Sequence, residues 1–109
     1  MSEPVKIPGL EVSKEEIADF CRRWKVTEFA LFGSVLRGDF RPDSDVDVLV
    51  TFASDAEWSL LDHVQMEQEL ASVLGRGVDL ISRRAVDHSK NWIRRGEILS
   101  TAQVVYVSR

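Results

Sequence analysis

The sequence is poor in the residues that mark secreted, disulfide-linked or unfolded chains. It has one cysteine, three prolines and six glycines among 109 residues. Cys21 therefore has no internal disulfide partner, and its helical surroundings favour a buried, small apolar side chain. No apolar run is long enough to cross a bilayer, and the first residues lack the layout of a signal peptide. These absences favour a cytoplasmic protein that does not contact a membrane.

Positive charge is scarce over the first two thirds of the chain. Residues 1–75 hold seven Lys or Arg against fifteen Asp or Glu, whereas residues 76–109 hold seven against three. A net charge of −4 makes strong direct binding of nucleic acid a poor expectation. The basic last third either serves phosphates or an acidic partner surface, or is a solvated helix face that complements the helix dipole. Its cations are Arg83, Arg84, Lys90, Arg94 and Arg95.

Size and composition predict one compact domain. The chain is 44% hydrophobic and 29% charged, as is usual for a globular protein with one modest core. Pro4, Pro8 and Gly9 predict an extended lead-in over residues 1–12. We expect the domain to fill residues 13–109, which leaves no room for a second domain.

Helical and strand patterns alternate along this domain. Helices are predicted from the Ser13 cap to about 24, from about 56 to 74, and from about 87 to 99. Strands are predicted at about 26–32, 46–52, 78–81 and 104–107. The alternation indicates an α/β fold, and the short link between the first two strands favours an antiparallel pair within a mixed sheet of about four strands. His63 and Glu67, four residues apart, are interpreted as a hydrogen-bonded pair at the edge of the core, with an acid-base pair as the less favoured alternative.

Two short motifs lie on the facing ends of the first two strands. Gly33 and Ser34 end the first strand, and Asp45-Val46-Asp47 begins the second after ten residues. If the strands are neighbours, both motifs lie on one rim, and the alternation of strand side chains points Asp45 and Asp47 to the same face. Each fragment alone is common in turns and on solvated strands. Together they suit a triphosphate and divalent cations, because a cation relieves the repulsion between two carboxylates.

At this spacing the sequence resembles the minimal nucleotidyltransferase (MNT) domain of the DNA polymerase beta superfamily. The resemblance is carried by Phe32-Gly33-Ser34-Val35-Leu36-Arg37-Gly38 and by Ser44-Asp45-Val46-Asp47-Val48-Leu49-Val50. It extends to Gly75-Arg76-Gly77-Val78-Asp79-Leu80-Ile81, where such domains carry a third acidic residue, and to the final helix and strand. It covers almost the whole chain from about Ser13 and implies the nucleotidyltransferase fold of the polymerase beta palm.

The resemblance implies a set of site residues. Asp45 and Asp47 would bridge two Mg²⁺ ions, and Asp79 would complete the metal site and assist the acceptor hydroxyl. Gly33 and Ser34 would hold the phosphates of the nucleotide through backbone and hydroxyl donors, helped by a short helical turn over 35–37. Arg37 would either neutralise the triphosphate or form a salt bridge to Asp39 or Asp43, and Asp43 itself is expected to be a turn residue.

The implied activity is transfer of AMP from ATP onto a partner protein. A free-standing domain of this kind resembles the antitoxin of modules whose toxin is a HEPN-domain ribonuclease, and the acceptor would be a hydroxyl, expected to be tyrosine, of that toxin. The two chains would form a hetero-oligomer. Two alternatives stay open: a binding module that neutralises the toxin by contact alone while holding ATP, and a transferase that acts on RNA or a small molecule.

Overall fold

The computed structural model describes residues 4–7, 10–33 and 45–108, and within them a mixed α/β arrangement. Its strands and helices, in chain order, are β1 (Pro4–Ile7), β2 (Leu10–Ser13), α1 (Lys14–Arg23), β3 (Val26–Phe32), β4 (Val46–Phe52), α2 (Leu60–Leu74), β5 (Val78–Ser82), α3 (Arg83–Asp87), α4 (Trp92–Thr101) and β6 (Gln103–Val107). None of the helices in these ranges is both long and apolar enough to cross a membrane.

Four strands form the main sheet in the order β5-β4-β3-β6. Strand β3 pairs antiparallel with β4 and with β6, whereas β4 and β5 run parallel. The expected mixed sheet with an antiparallel first pair is therefore confirmed. Since β4 and β5 are parallel, their amino-terminal ends lie together, and the antiparallel β3 brings its carboxyl end, at Phe32, to the same edge.

The two faces of this sheet bury different clusters, because alternate side chains of each strand point to opposite sides. The larger core lies between the sheet and helices α1 and α2, and is built from Ile17, Phe20, Cys21, Val26, Phe29, Leu31, Val46, Val48, Val50, Met66, Leu70, Leu74 and Leu80. The smaller core lies on the other face, where α3 and α4 pack, and contains Ala30, Phe32, Leu49, Val86 and Ile98. Asp47 and Asp79 alternate with the residues of the larger core and so share the face of the smaller one.

The lead-in residues form a two-stranded antiparallel hairpin in which Pro4 pairs with Ser13 and Ile7 with Leu10. Ser13 ends this hairpin and caps α1, since its hydroxyl accepts a hydrogen bond from the Glu16 backbone N–H at 3.3 Å. The predicted cap at Ser13 is therefore present.

The predicted helix over 56–74 begins later, at Leu60. Ser59 and Asp62 form a reciprocal capping box there, which fixes the first turn. Helical periodicity places Leu60 and Val64 on the apolar half of this helix, yet their side chains are 80% and 42% exposed. The buried side of α2 is a narrower stripe at four-residue spacing, Met66, Leu70 and Leu74.

The predicted last helix over 87–99 begins later, at Trp92, and a short helix that the sequence pattern did not indicate precedes it. Helix α3 begins after Ser82, whose hydroxyl accepts a hydrogen bond from the Ala85 N–H, and ends at Asp87. A second cap, Asn91, accepts a hydrogen bond from the Arg94 N–H and starts α4. Two side-chain caps nine residues apart, Ser82 and Asn91, thus start two separate helices.

Candidate functional site

The three predicted carboxylates lie at the edge of the sheet where β3 ends and where β4 and β5 begin. Asp47 is paired across the sheet with Phe32 on one side and with Asp79 on the other. Residues paired in this way point to the same face, with strands about 4.8 Å apart. Asp45 directly precedes β4, which is tied to the start of β5 by a 2.8 Å hydrogen bond from the Val46 N–H to the Gly77 carbonyl. Asp45 and Asp79 are exposed, and Asp47 is half-buried.

Two glycines make room for two of these carboxylates. Gly33 has φ +80°, and a Cβ built there would overlap with the Asp47 Oδ2 atom and lie 3.1 Å from its Cγ. A Cβ built on Gly77 would overlap with the Asp45 Oδ1 atom and lie 3.3 Å from its Cγ. Gly33 is thus in direct contact with Asp47, and the two sequence motifs meet in space. The left-handed backbone of Gly33 is a conformation that other residues adopt only with strain.

A cavity of about 220 Å³ opens beside this glycine turn. Its floor is the end of β3 and the start of β4, with Phe32, Gly33 and Asp47. Its remaining wall is one stripe of α4 at helical spacing, made by Arg94, Glu97, Ile98 and Thr101. The Thr101 hydroxyl donates a 2.6 Å hydrogen bond to the Glu97 carbonyl, which satisfies a carbonyl of the last helical turn.

Sequence reasoning missed the contribution of α4 to the site. Arg94 was grouped with other cations, and Glu97, Ile98 and Thr101 were given no role. The spacing i, i+3, i+4, i+7 was visible and identifies the four as one face of a helix. No pattern in the sequence indicated that this face covers the glycine turn.

Two predicted nucleotide-binding residues, Ser34 and Arg37, lie outside the described residues. The same holds for the expected helical turn over 35–37 and for Asp39 and Asp43. Gly33 is therefore the member of the predicted phosphate cradle that the structure describes.

The donor atoms at this rim fit Mg²⁺ in kind, because all three side chains are carboxylates and Mg²⁺ prefers oxygen ligands. Within the described ranges, no three His, Cys, Asp or Glu side chains are arranged closely enough to hold a metal ion. Magnesium binding by Asp45, Asp47 and Asp79 remains a prediction.

The pair His63 and Glu67 lies away from this rim. Their side chains approach to 3.8 Å, and the Glu67 Oε2 atom accepts a 2.9 Å hydrogen bond from the Leu80 N–H. Glu67 therefore ties α2 to β5. His63 lines a second cavity of about 480 Å³ at the opposite end of β4 and β5, together with Thr51, Phe52 and Ser82.

Known proteins resemble this chain in sequence and in fold. The nucleotidyltransferase domain family matches residues 14–103. The protein adenylyltransferase MntA of Thermococcus cleftensis is 38% identical over 77 residues, which are 71% of this chain and 73% of that protein.

Two solved structures share the fold. A chain of a toxin-antitoxin crystal structure with AMP-PNP has a TM-score of 0.67 at 21% identity, over 88% of this chain and 74% of that one. A chain from the complex of a tri-AMPylated Shewanella oneidensis HEPN toxin with an MNT antitoxin has a TM-score of 0.60 at 23% identity, over 87% and 70%.

Proposed function

The chain belongs to the nucleotidyltransferase domain family, and on this premise we propose that it transfers AMP from ATP onto a hydroxyl group of a HEPN-domain ribonuclease toxin and thereby acts as its antitoxin. The observation that carries the proposal is the contact between the Gly33 turn and Asp47. Asp47 is in turn paired with Asp79 on the neighbouring strand β5. A glycine turn beside two aligned carboxylates suits a nucleoside triphosphate and its counterions.

The relatives support each part of this activity. The Thermococcus cleftensis relative is a protein adenylyltransferase, so its transferred group is AMP. One structure of the same fold contains AMP-PNP, an analogue of ATP, and another contains a HEPN toxin that carries AMP groups. We therefore assign ATP as the substrate and a HEPN-domain toxin as the protein partner, in a cytoplasmic hetero-oligomer.

The chemistry is a displacement at the α-phosphorus of ATP. The oxygen of the acceptor hydroxyl, expected to be a tyrosine, forms a bond to this phosphorus, the bond to the β-phosphate oxygen breaks, and pyrophosphate leaves. Asp79 accepts the proton of the hydroxyl, and the backbone of Gly33 holds the phosphate chain, together with Ser34 and Arg37. Asp45, Asp47 and Asp79 are the proposed ligands of two Mg²⁺ ions, which when bound would neutralise the negative charge of the reacting phosphates.

The openness of the rim suits an acceptor on another protein. Asp45 and Asp79 are exposed at the sheet edge, and Asp79 lies on the edge strand β5. A side chain of a partner can therefore approach Asp79 without passing through the core of the domain. The partner would complete the site by supplying the reacting hydroxyl.

A mass measurement tests the proposal. The chain is incubated with a HEPN-domain protein encoded beside it, with ATP and Mg²⁺, and the intact mass of the partner is recorded. We expect a gain of one or more AMP units and a parallel loss of ribonuclease activity. Asp47→Asn should slow the transfer by at least about a hundredfold, because the variant loses a full negative charge where the metal ions bind.

Asp55→Asn is the matched control. Asp55 lies beyond the opposite end of β4, its side chain is 74% exposed, and it pairs with Lys25 at 3.3 Å. This variant should transfer AMP at the wild-type rate. Full transfer by Asp47→Asn would refute the site. Neutralisation of the toxin without any AMP adduct would favour the binding module, and an adduct on RNA or on a small molecule would favour the second alternative.

A further inference from the structure

One face of α4 lies over the glycine turn of the site. Arg94, Glu97, Ile98 and Thr101 line the same cavity as Gly33 and Asp47. Ile98 is buried against the sheet, which places the side chains one turn on either side of it at the cavity. Arg94 is the only cation among the described residues that line this cavity.

The guanidinium of Arg94 differs from those of Arg83 and Arg95 in its hydrogen bonds and ion pairs. Its side chain makes no hydrogen bond or ion pair with any residue in the described ranges. Arg95, next to it, donates hydrogen bonds to the carbonyls of Asp87 and Ser89 at 3.3 and 3.5 Å, and Arg83 pairs with Asp87 at 3.1 Å. Arg95 and Arg83 thus stabilise the α3 region, whereas the donors of Arg94 are available to a ligand.

The helix dipole makes a cation at this cavity important for an anionic ligand. The negative end of α4 points toward the same edge of the sheet and has no basic residue in its last turn. A phosphate chain at the cavity is therefore favoured by the positive charge of Arg94. Arginine suits this role because its planar fork of N–H donors matches phosphate oxygens.

The volume indicates which part of a nucleotide fits. Whole ligands commonly occupy about 300–1,000 Å³, and this cavity has about 220 Å³. A cavity of this size suits only a portion of ATP, and Gly33 on its floor is the predicted phosphate-binding backbone.

From these observations we propose that Arg94 binds the β and γ phosphates of ATP, and hence the leaving pyrophosphate, from the α4 side of the site. The inference rests on the proposed function for the identity of the nucleotide. It adds to the Gly33-Ser34 motif a second phosphate-binding element, contributed by a helix some sixty residues further along the chain.

Calorimetric titration of the full chain with AMP-PNP and with AMP, both in Mg²⁺, tests this role. Arg94→Gln should weaken AMP-PNP binding by about tenfold to a hundredfold, as expected for a lost charge-assisted hydrogen bond, and should weaken AMP binding much less. Arg94→Lys should restore part of the affinity for AMP-PNP, since the charge is kept and the fork is lost. A larger loss of affinity for AMP-PNP than for AMP is expected only if Arg94 binds the β and γ phosphates. A purely structural role would weaken the binding of both ligands equally.

Arg84→Gln is the matched control, because Arg84 is an exposed arginine at the second cavity and has no side-chain partner in the described part of the chain. Its AMP-PNP affinity should equal that of the wild type. An Arg94→Gln variant that binds AMP-PNP as well as the wild type, or that loses AMP and AMP-PNP equally, overturns the inference. A wild-type chain that binds no AMP-PNP also overturns it.

Failure of the proposed function gives a different result. In that case the wild type binds AMP-PNP but adds no AMP to a HEPN-domain protein. The selective loss of AMP-PNP affinity in Arg94→Gln would still support Arg94 as a phosphate-binding residue.

Discussion

Comparing Gly33→Ala with Gly75→Ala separates the effect of backbone strain from the effect of displacing a carboxylate. Gly33 has φ +80°, and Gly75, at the end of α2, has φ +72°. Alanine in this left-handed region costs about 1–2 kcal/mol at either position. A Cβ on Gly75 meets no described atom within 4 Å, whereas one on Gly33 overlaps with the Asp47 carboxylate. The pair of variants therefore shares the strain and differs in the overlap.

The size of each effect follows from these contacts. Gly75→Ala should lower the midpoint of thermal unfolding by roughly 4–8 °C per kcal/mol and leave AMP transfer unchanged. In Gly33→Ala the Asp47 carboxylate must rotate away, which adds about 0.5–1.5 kcal/mol for an unfavourable side-chain torsion. Its effect on the reaction is larger, because a misplacement of about 1 Å at a catalytic group can slow a reaction by about a hundredfold.

The assays are thermal unfolding followed by circular dichroism and the initial rate of AMP transfer to the partner. We expect Gly33→Ala to be less stable than Gly75→Ala by about 0.5–1.5 kcal/mol and to transfer AMP about a hundredfold more slowly. If Gly33→Ala transfers AMP as fast as Gly75→Ala, then Asp47 does not need its present position, and the assignment of the site to this rung of the sheet is wrong.

Two further predictions use single substitutions. Gly77→Ala brings no left-handed strain but displaces Asp45, so transfer should fall by about tenfold with little change in melting temperature; an unchanged rate would show that the position of Asp45 is not required. Burial raises the pKa of Cys21 from its ordinary 9.0 to about 12, so between these values the folded chain keeps a proton that the unfolded chain loses. The free energy of unfolding should therefore fall by about 1.4 kcal/mol per pH unit as pH rises above 9, and Cys21→Ala should reduce this slope in urea unfolding; equal slopes would contradict the burial effect.

The parts of the site that could be predicted are those that depend on local sequence. Strand alternation alone places Val46 and Val48 in the core, and Asp47 on the other face. The short connection between β3 and β4 then brings Gly33 to Asp47. The alignment of Asp79 with Asp47 rested on family resemblance, because no local pattern fixes the register of two parallel strands that are joined by a helix.

The misplaced helices show where periodicity stops being informative. Leu60 fits an apolar helical face, but helical spacing does not reveal whether another element covers that face, and Leu60 is 80% exposed. The break between α3 and α4 depends on Asn91, whose side chain caps a helix only because the chain turns there. The wall of the cavity beside Gly33 follows from that turn and could not be predicted without it.

The attachment of α4 to the sheet has a consequence for the dynamics of the site. Ile98 is the single buried residue of this helix, and burial of one isoleucine is worth about 1.5–3 kcal/mol. Leu99 and Ala102 add partly buried contacts to the same cluster. A wall with one fully buried side chain is still expected to separate from the sheet more often than the whole domain unfolds. A nucleotide that bridges Gly33 and α4 would close that opening, so its arrival should slow amide hydrogen exchange along the helix before any acceptor is bound.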